Sequence, residues 1–262
     1  MADLEHQIAD GVLTIRLNRP EQKNAFTFAM VHEWAELIDM GAANSDVRVI
    51  VVTGTGDSFC SGVDLGSISN ADATLTPLAR KSQLHDEIHK VARSLERCDT
   101  PVIAALNGTA VGAGLDMALM CDMRIAKRSA KFSEGYIRVG LVPGDGGAWY
   151  LPRLVGASKA LELLLTGRFV GAEEAERIGM VNAVADDEAF EAEVASWARS
   201  IAAQPPVSVR TIKRLVSQAE NLELRTALDL VSSHFAVVAA TEDAAEALAA
   251  FREKRTPTFK GS

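Results

Sequence analysis

The sequence predicts an α/β fold, and two patterns carry the prediction. Short apolar runs typical of buried strands lie at residues 11–17, 47–53 and 101–106. Helical patterns alternate with them, the longest at residues 27–40 and 78–97, where apolar side chains recur on one face. This alternation indicates a sheet covered by helices rather than an all-helical or an all-strand domain.

The C-terminal part of the chain has a different pattern from the alternating strands and helices before it. From residue 187 onward the pattern is almost wholly helical. Pro205 and Pro206 mark a boundary, because proline suits the start of a helix and breaks the one before it. The sequence therefore predicts a core over residues 1–204 and a C-terminal helical module over residues 205–262. A chain of 262 residues is long enough for a large domain with such an appendage.

In chain order, the strand at 11–17 ends at a turn that contains Pro20. Thr27 is expected to cap the helix at 27–40. Residues 66–78 are polar and irregular, and we expect a mobile loop over the site there. Further strands are expected at 123–126, 131–133 and 180–185. Further helices are expected at 148–154, 158–165 and 172–178, the last of them ending at Gly179.

Composition excludes several classes of function. The hydrophobic share is 48% and the charged share 24%, as in ordinary globular proteins. The net charge of −8 makes nucleic acid an unsuitable partner. The N-terminus lacks the apolar region of a signal peptide, and no run approaches a membrane span, so we expect a cytoplasmic protein. Three scattered cysteines fit a reducing compartment, and no Cys/His grouping has the spacing of a metal site.

The strand at 101–106 leads into a glycine-containing segment that is the first candidate for a functional site. Gly112, Ala113 and Gly114 follow it, and a helix is expected to begin at about Ala113. The first backbone N–H groups of a helix have no partner within it, and the helix dipole is positive at that end. Such a junction is suited to holding a developing oxyanion. The alternative is a glycine turn that serves only close packing.

A second junction follows the strand at 47–53. Ser61 and Gly62 lie in a loop after it, and the N–H of Val63 is placed to face a ligand. Two such junctions about fifty residues apart are able to give one donor each to the same carbonyl oxygen.

These segments resemble the enoyl-CoA hydratase/isomerase, or crotonase, superfamily. The resemblance rests on six stretches in the family's order, at residues 17–25, 60–65, 107–122, 132–147, 166–175 and 251–259. It implies a ββα spiral core with a C-terminal helical module used in trimer packing, and assembly as a homotrimer or a hexamer. It also implies an acyl-CoA substrate whose thioester is held by two N–H groups, here those of Val63 and Ala113. Coenzyme A is then part of the substrate, and no separate cofactor is expected.

The resemblance also points to residues that handle protons. Asp116 stands where the family's hydratases carry one of two glutamates that act on water, and it is one methylene shorter. The second glutamate is replaced by Tyr136, the clearest departure from the family pattern. A phenol is a poor base at neutral pH, although it can donate a hydrogen bond. Two alternatives stay open: Asp116 only complements the helix dipole, and Tyr136 only lines an apolar acyl pocket.

Asp145 is the third candidate, because the family's dienoyl-CoA isomerases look similar in this stretch. The alternative is that it caps the helix that follows. Glu134 is expected to face solvent unless the register is shifted by two residues. His85 and His89 share a helix face and are expected to be surface residues.

The resemblance places the coenzyme A moiety as well. Lys23 stands where the family holds the nucleotide, and a basic tail from a neighbouring subunit is expected to cover it. The residues expected to contact the moiety are Lys23, Ala25, Gly62, Val63, Asp64, Leu65, Gly112, Phe259 and Lys260.

Together these features predict an acyl-CoA enzyme that hydrates or isomerises a double bond through a stabilised enolate. Because the glutamate pair is missing, isomerisation is favoured over simple hydration. Two alternatives remain at this stage. One is hydrolysis or decarboxylation of a CoA ester on the same fold, and the other is a non-catalytic acyl-CoA-binding protein.

Overall fold

A computed structural model describes residues 2–64, 66 and 75–262 of the chain. Its strands are β1 (Leu4–Ala9), β2 (Val12–Leu17), β3 (Val49–Gly54), β4 (Ser58–Cys60), β5 (Val102–Leu106), β6 (Thr109–Val111), β7 (Met123–Lys127), β8 (Lys131–Ser133), β9 (Val170–Gly171) and β10 (Ala183–Ala185). Its helices are α1 (Phe28–Ala43), α2 (Pro77–Gln83), α3 (Lys90–Arg97), α4 (Ala113–Leu119), α5 (Gly147–Val155), α6 (Ala157–Thr166), α7 (Ala172–Arg177), α8 (Phe190–Ala202), α9 (Pro206–Ala219), α10 (Leu224–Ala239) and α11 (Glu242–Glu253).

The strands form two sheets. The larger has the order β1-β2-β3-β5-β7-β10 and is parallel except for β1. The smaller has the order β4-β6-β8-β9 and is parallel except for β9. Along the chain, one strand enters the larger sheet, the next enters the smaller sheet, and in two repeats helices follow, α2 and α3 after β4 and α4 after β6. The predicted ββα spiral core is therefore confirmed.

The larger sheet buries both of its faces. One face packs on the main core with α1, where Trp34 and Ile38 are fully buried. The other face packs against α8 through Phe190 and Val194. Strands covered on both faces are expected to be continuously apolar, and β3 and β5 are buried along their whole length.

Several expected elements differ in detail from the structure. Strand β1 was not predicted, because only one of its six side chains is buried, which gives an edge strand no apolar alternation. The helix at 78–97 is divided by a π-helical turn, Leu84–Ile88, into α2 and α3. Most of the loop expected at 66–78 lies outside the described residues. Thr27 caps α1 as predicted, through a hydrogen bond from the N–H of Met30.

The C-terminal helices lie partly on the core of their own chain. Lys213 of α9 forms an ion pair with Asp122 and donates to the carbonyl of Thr100. Neither α9 nor α10 has a single buried residue. Across the described part of the chain, no helix is both long and apolar enough for a membrane crossing.

Gly108 joins β5 to β6 at a point without room for a side chain. A Cβ atom there would overlap the backbone carbonyl of Asp57. We expect Gly108→Ala to lower the free energy of unfolding by about 1–3 kcal/mol, as overpacked sites do. The control is Gly171→Ala, since nothing lies within 4 Å of a Cβ at that position. Urea unfolding at fixed protein concentration measures both, and equal stabilities would contradict the close packing described here.

Candidate active site

The two glycine junctions lie side by side. β4 and β6 are parallel neighbours, so their carboxyl ends leave the smaller sheet at the same edge. Gly62 follows β4 and Gly112 follows β6, and both have positive φ, +98° and +53°. A Cβ atom on Gly62 would lie 3.6 Å from the amide nitrogen of Ala113. The sheet therefore brings together two segments that are fifty residues apart in the sequence.

The amide groups of Val63 and Ala113 both remain available at this edge. Phe26 donates to the carbonyl of Gly62 and accepts from the N–H of Asp64, which leaves the Val63 N–H on the other side. Ala113 is the first residue of α4, where backbone N–H groups have no helical acceptor. Among the described residues neither amide has an acceptor, so the site presents two neighbouring donors.

Two buried asparagines hold the loop between β3 and β4. Asn24 donates to the carbonyls of Thr55 and Ser58. Asn107 accepts from the N–H of Gly54 and donates to the carbonyls of Gly56 and Ser58. A buried network with its partners satisfied makes a single conformation rigid, and this one fixes the start of β4, the strand that precedes Gly62.

Next to the junctions, three side chains meet at one hydroxyl group. Asp116 is fully buried in α4, and the Oη atom of Tyr136 lies 2.7 Å from its Oδ2 atom. The same Oη atom lies 2.8 Å from Oδ2 of Asp145. Asp145 therefore does not approach the site from a side separate from that of Asp116. The two aspartates are joined through the phenol.

The hydrogen bonds decide between the alternatives for Asp145 and Tyr136. Helix α5 begins at Gly147 after Gly146, and no side chain caps it. Asp145 is buried and bonded to Tyr136 instead, so the capping role is wrong. Tyr136 does not only line an apolar pocket, because its hydroxyl contacts two carboxyl groups.

Glu134 does not face solvent, and the expectation for it was wrong. Its exposed fraction is 2%, and it precedes the 3-10 turn Gly135–Val139 that carries Tyr136. A Cβ atom on Gly147 would overlap Oδ1 of Asp116 and lie 3.1 Å from Oε1 of Glu134. A third carboxyl group is thus packed beside Asp116, in space that Gly147 leaves open.

Burial changes the acidity of this cluster. Removal from water is the main cause that raises the pKa of Asp116 to about 6. It also raises the pKa of Glu134 to about 10, with the negative charge of Asp116 as the second cause. The pKa of Asp145 is raised by burial and that of the Tyr136 phenol lies far above its ordinary value. Asp116 is therefore a usable base near neutral pH.

His89 was expected to be a surface residue, but it lies near this cluster. Its Nε2 atom lies 2.8 Å from the carbonyl oxygen of Gly144, next to Asp145. The positive form of His89 lowers the pKa of Asp145, against the larger effect of burial. His85 is exposed and contacts Asp86, as expected for a surface histidine.

The segment expected to hold coenzyme A is organised by Arg19. Its guanidinium group donates to the carbonyl of Ala25 and to Asp64, each at 2.7 Å. Lys23 is exposed, and its carbonyl accepts from the N–H of Ser61. Lys23, Ala25, Gly62, Val63 and Asp64 are therefore brought together next to the junctions. Leu65 lies outside the described residues.

Phe259 and Lys260 do not join this group within one chain. The carbonyl of Phe259 accepts from Arg48, and the N–H of Lys260 donates to Asp243. Arg48 precedes β3, whereas Gly62 and Lys23 lie beyond its carboxyl end. In a single chain the tail and the candidate site are at opposite ends of the larger sheet.

Three features of the site were not predicted. Burial of Glu134 follows from the 3-10 turn, which has no clear sequence pattern. The His89 contact depends on how the π-helical turn rotates the residues after it. The role of Arg19 had a sequence signal, because an arginine just before a turn can bond backbone carbonyls, but its partner Asp64 is 45 residues away.

Comparison with known proteins identifies the family. A model of the enoyl-CoA hydratase/isomerase family matches residues 7–262. The 1,2-epoxyphenylacetyl-CoA isomerase of Escherichia coli K12 is 37% identical over 254 residues, covering 97% of each chain. The 2,3-dehydroadipyl-CoA hydratase of the same organism is 33% identical over the full length of both chains.

Solved structures give the same result. A putative enoyl-CoA hydratase from Streptomyces coelicolor A3(2) superimposes with a TM-score of 0.93 at 37% identity, covering 100% of this chain and 95% of that one. An enoyl-CoA hydratase from Bacillus anthracis gives 0.92 at 33% identity over the full length of both chains. The chain therefore belongs to the enoyl-CoA hydratase/isomerase family and is an enzyme that processes acyl-CoA thioesters.

Proposed function

We propose that this enzyme shifts a carbon–carbon double bond of an enoyl-CoA through a thioester enolate, in preference to adding water across it. The observation that carries the proposal is the single hydroxyl of Tyr136, which lies within hydrogen-bond distance of both Asp116 and Asp145. It connects two carboxyl groups by a path along which a proton can move.

The neighbouring amides of Val63 and Ala113 serve as the oxyanion hole. When a proton leaves the α-carbon, its electron pair moves into the thioester and negative charge develops on the carbonyl oxygen. Two fixed N–H donors stabilise that charge without reorganising. Gly62 and Gly112 allow the close approach, because neither adds a side chain at the junction.

The aspartates then move the proton. The carboxylate of Asp116 takes a proton from the α-carbon of a 3-enoyl thioester, and the enolate forms. A proton held by Asp145 adds at the γ-carbon, which leaves the double bond between the α- and β-carbons. The proton on Asp116 passes to Tyr136 while the phenolic proton passes to Asp145, so both groups are restored and no atom is gained or lost.

Hydration is disfavoured by the same hydroxyl. Tyr136 occupies the space between the two carboxyl groups, where a water gripped by two carboxylates would have to lie. A phenol whose pKa is raised by burial does not activate that water as a carboxylate does.

Product masses test the proposal, because an isomer keeps the mass of the substrate and a hydrated product gains one water. With 2-enoyl and 3-enoyl thioesters of several chain lengths, we expect isomerisation to exceed hydration by about tenfold or more, equal to about 1.4 kcal/mol. Tyr136→Glu, which supplies the carboxylate found in the family's hydratases, should move the ratio toward hydration. Dominant hydration by the parent would overturn the proposal, and tight binding without turnover would favour a non-catalytic acyl-CoA-binding protein.

Coenzyme A is proposed to bind along the segment that Arg19 holds. Lys23 supplies a cation for the phosphates. The rest of the moiety contacts the backbone of Ala25, Gly62, Val63, Asp64, Leu65 and Gly112. Phe259 and Lys260 reach such a site only from a neighbouring subunit. Buried free thiols at all three cysteines support a reducing cytoplasm as the compartment.

We expect the chain to form a homotrimer or a hexamer through its C-terminal module. Large apolar side chains on these helices are exposed, at Ile212, Val216, Leu224, Leu228, Phe235, Val237, Leu248 and Phe251. Monomeric proteins rarely leave contiguous apolar surface of this kind in water. Light scattering at micromolar concentration should give a mass three or six times that of the chain. A monomer would contradict this expectation and leave Phe259 and Lys260 without a role in binding.

A further inference from the structure

The proton-transfer scheme leaves Glu134 without a role, although it is almost completely buried beside Asp116. Neither oxygen of Glu134 has an N–H or O–H donor among the described residues, and Oδ1 of Asp116 has no side-chain donor there. The backbone N–H of Gly147 acts on the Asp116 carboxyl group, where it lowers the pKa against the larger effect of burial. Oδ1 of Asp116 and Oε1 of Glu134 border the same space beside Gly147, because a Cβ atom on Gly147 would overlap the first and lie 3.1 Å from the second. Buried polar atoms rarely remain without a partner, so this pair requires an explanation.

A single proton supplies the missing hydrogen bond. Two ionised carboxylates offer only acceptors, whereas a protonated carboxyl group becomes a donor. Two adjacent buried carboxyl groups also cannot both carry charge at an acceptable cost. Burial and the charge of Asp116 raise the pKa of Glu134 to about 10, well above the value of about 6 for Asp116. Glu134 is the member of the pair that keeps its proton at neutral pH.

We propose that Glu134 is a neutral acid that donates a hydrogen bond to Asp116 and thereby makes Asp116 the base and Asp145 the acid. The inference rests on the proposed function and adds a positioning residue to it. The hydroxyl of Tyr136 lies within hydrogen-bond distance of two carboxyl groups but has only one proton to donate. The second hydrogen bond therefore needs a protonated carboxyl group that donates to the phenolic oxygen. Asp116 receives donors from both Tyr136 and Glu134, so the negative charge is most stable there. Asp145 is then the protonated member.

Other groups around the cluster do not change this assignment. Cys60 of β4 and Tyr150 of α5 are neutral, because burial raises the pKa of each above its ordinary value. His89 faces Asp145 across the turn at Gly144 and is the one described group near the cluster that can add positive charge. A charged His89 would favour the ionised form of Asp145, so the donor from Glu134 is what keeps the charge on Asp116.

The acid limb of the kcat/KM profile measures the pKa of the base in the free enzyme. Glu134→Leu removes the donor, so the limb should move to higher pH by about one unit or more. Glu134→Gln keeps an N–H donor that never ionises, so its limb should stay at the parent position. If Glu134 instead carried a negative charge, both variants would move the limb to lower pH, and the proposal would be overturned.

Infrared difference spectroscopy provides a readout that needs no turnover. At about pH 8 and without substrate, the carbonyl band of a protonated carboxyl group should be present in the parent and lost in Glu134→Gln. A second such band should be lost in Asp145→Asn and retained in Glu134→Gln. If Glu134→Gln removes no band, the neutral state is wrong, whatever reaction the enzyme catalyses. The result stands even if Glu134→Leu does not fold.

Discussion

Asp116→Asn is expected to lower kcat/KM for double-bond isomerisation by about a hundredfold to ten-thousandfold, the range for a general base. An amide cannot take the α-proton, and Asn fits the space because it has the shape of Asp. Binding of the acyl-CoA should persist, since the role proposed for Asp116 is at the reacting carbon and not at the nucleotide. Steady-state rates and equilibrium binding together check both parts of this expectation.

The pH dependence adds a second test of the same residue. Burial raises the pKa of Asp116 to about 6, so the fraction present as carboxylate increases as pH rises through that value. Parental kcat/KM should therefore rise toward a plateau above about pH 6, not above the ordinary value near pH 4. The limb should disappear in Asp116→Asn. Glu188→Gln, an acid-to-amide change at an exposed position, is the matched control and should keep the parental rate and limb.

Ala113→Pro is expected to reduce turnover by about a hundredfold or more, the usual effect of losing one oxyanion-hole donor. Proline lacks the N–H but suits the first position of a helix, which Ala113 occupies in α4. Ala113→Gly keeps the N–H and is the matched control. Circular dichroism and acyl-CoA binding should show that both variants fold and still hold the nucleotide.

The outcome for Ala113 separates two accounts of the junction. If folded Ala113→Pro turns over as fast as Ala113→Gly, the donor is elsewhere and Gly112 serves only packing. Packing alone does explain Gly114, since a Cβ atom there would overlap the backbone carbonyl of Cys60. Gly114 is thus required by packing, and the donor proposed for the oxyanion hole is the residue before it, Ala113.

Much of the fold was predictable because local signals and burial agree. The apolar runs that became β3 and β5 are buried along their length, and Thr27 and Gly112 mark the starts of α1 and α4. The weak points were elements without such signals. β1 exposes five of six residues, and β9 is two residues long.

The candidate site was harder to predict because its geometry depends on distant pairings. The adjacency of Gly62 and Gly112 could be predicted, because each follows a strand and both segments were expected to serve the same oxygen. The parallel pairing of β4 with β6 places the two glycines side by side. The joining of Asp116 to Asp145 did not follow, because it depends on where the turn after β8 places the Tyr136 hydroxyl. Glu134 was misplaced for the same reason: a charged residue beside a glycine indicates solvent unless the packing is known.

Deuterium incorporation tests the central claim, that Asp116 removes the α-proton and Asp145 supplies the proton at the γ-carbon. A 3-enoyl-CoA is incubated in heavy water with the parent, Asp116→Asn and Asp145→Asn, and label is located in both substrate and product. The parent should give labelled product. Asp145→Asn should exchange the α-proton of the substrate but form little product, and Asp116→Asn should do neither. If both variants exchange and turn over like the parent, the two aspartates are only structural and the mechanism is wrong.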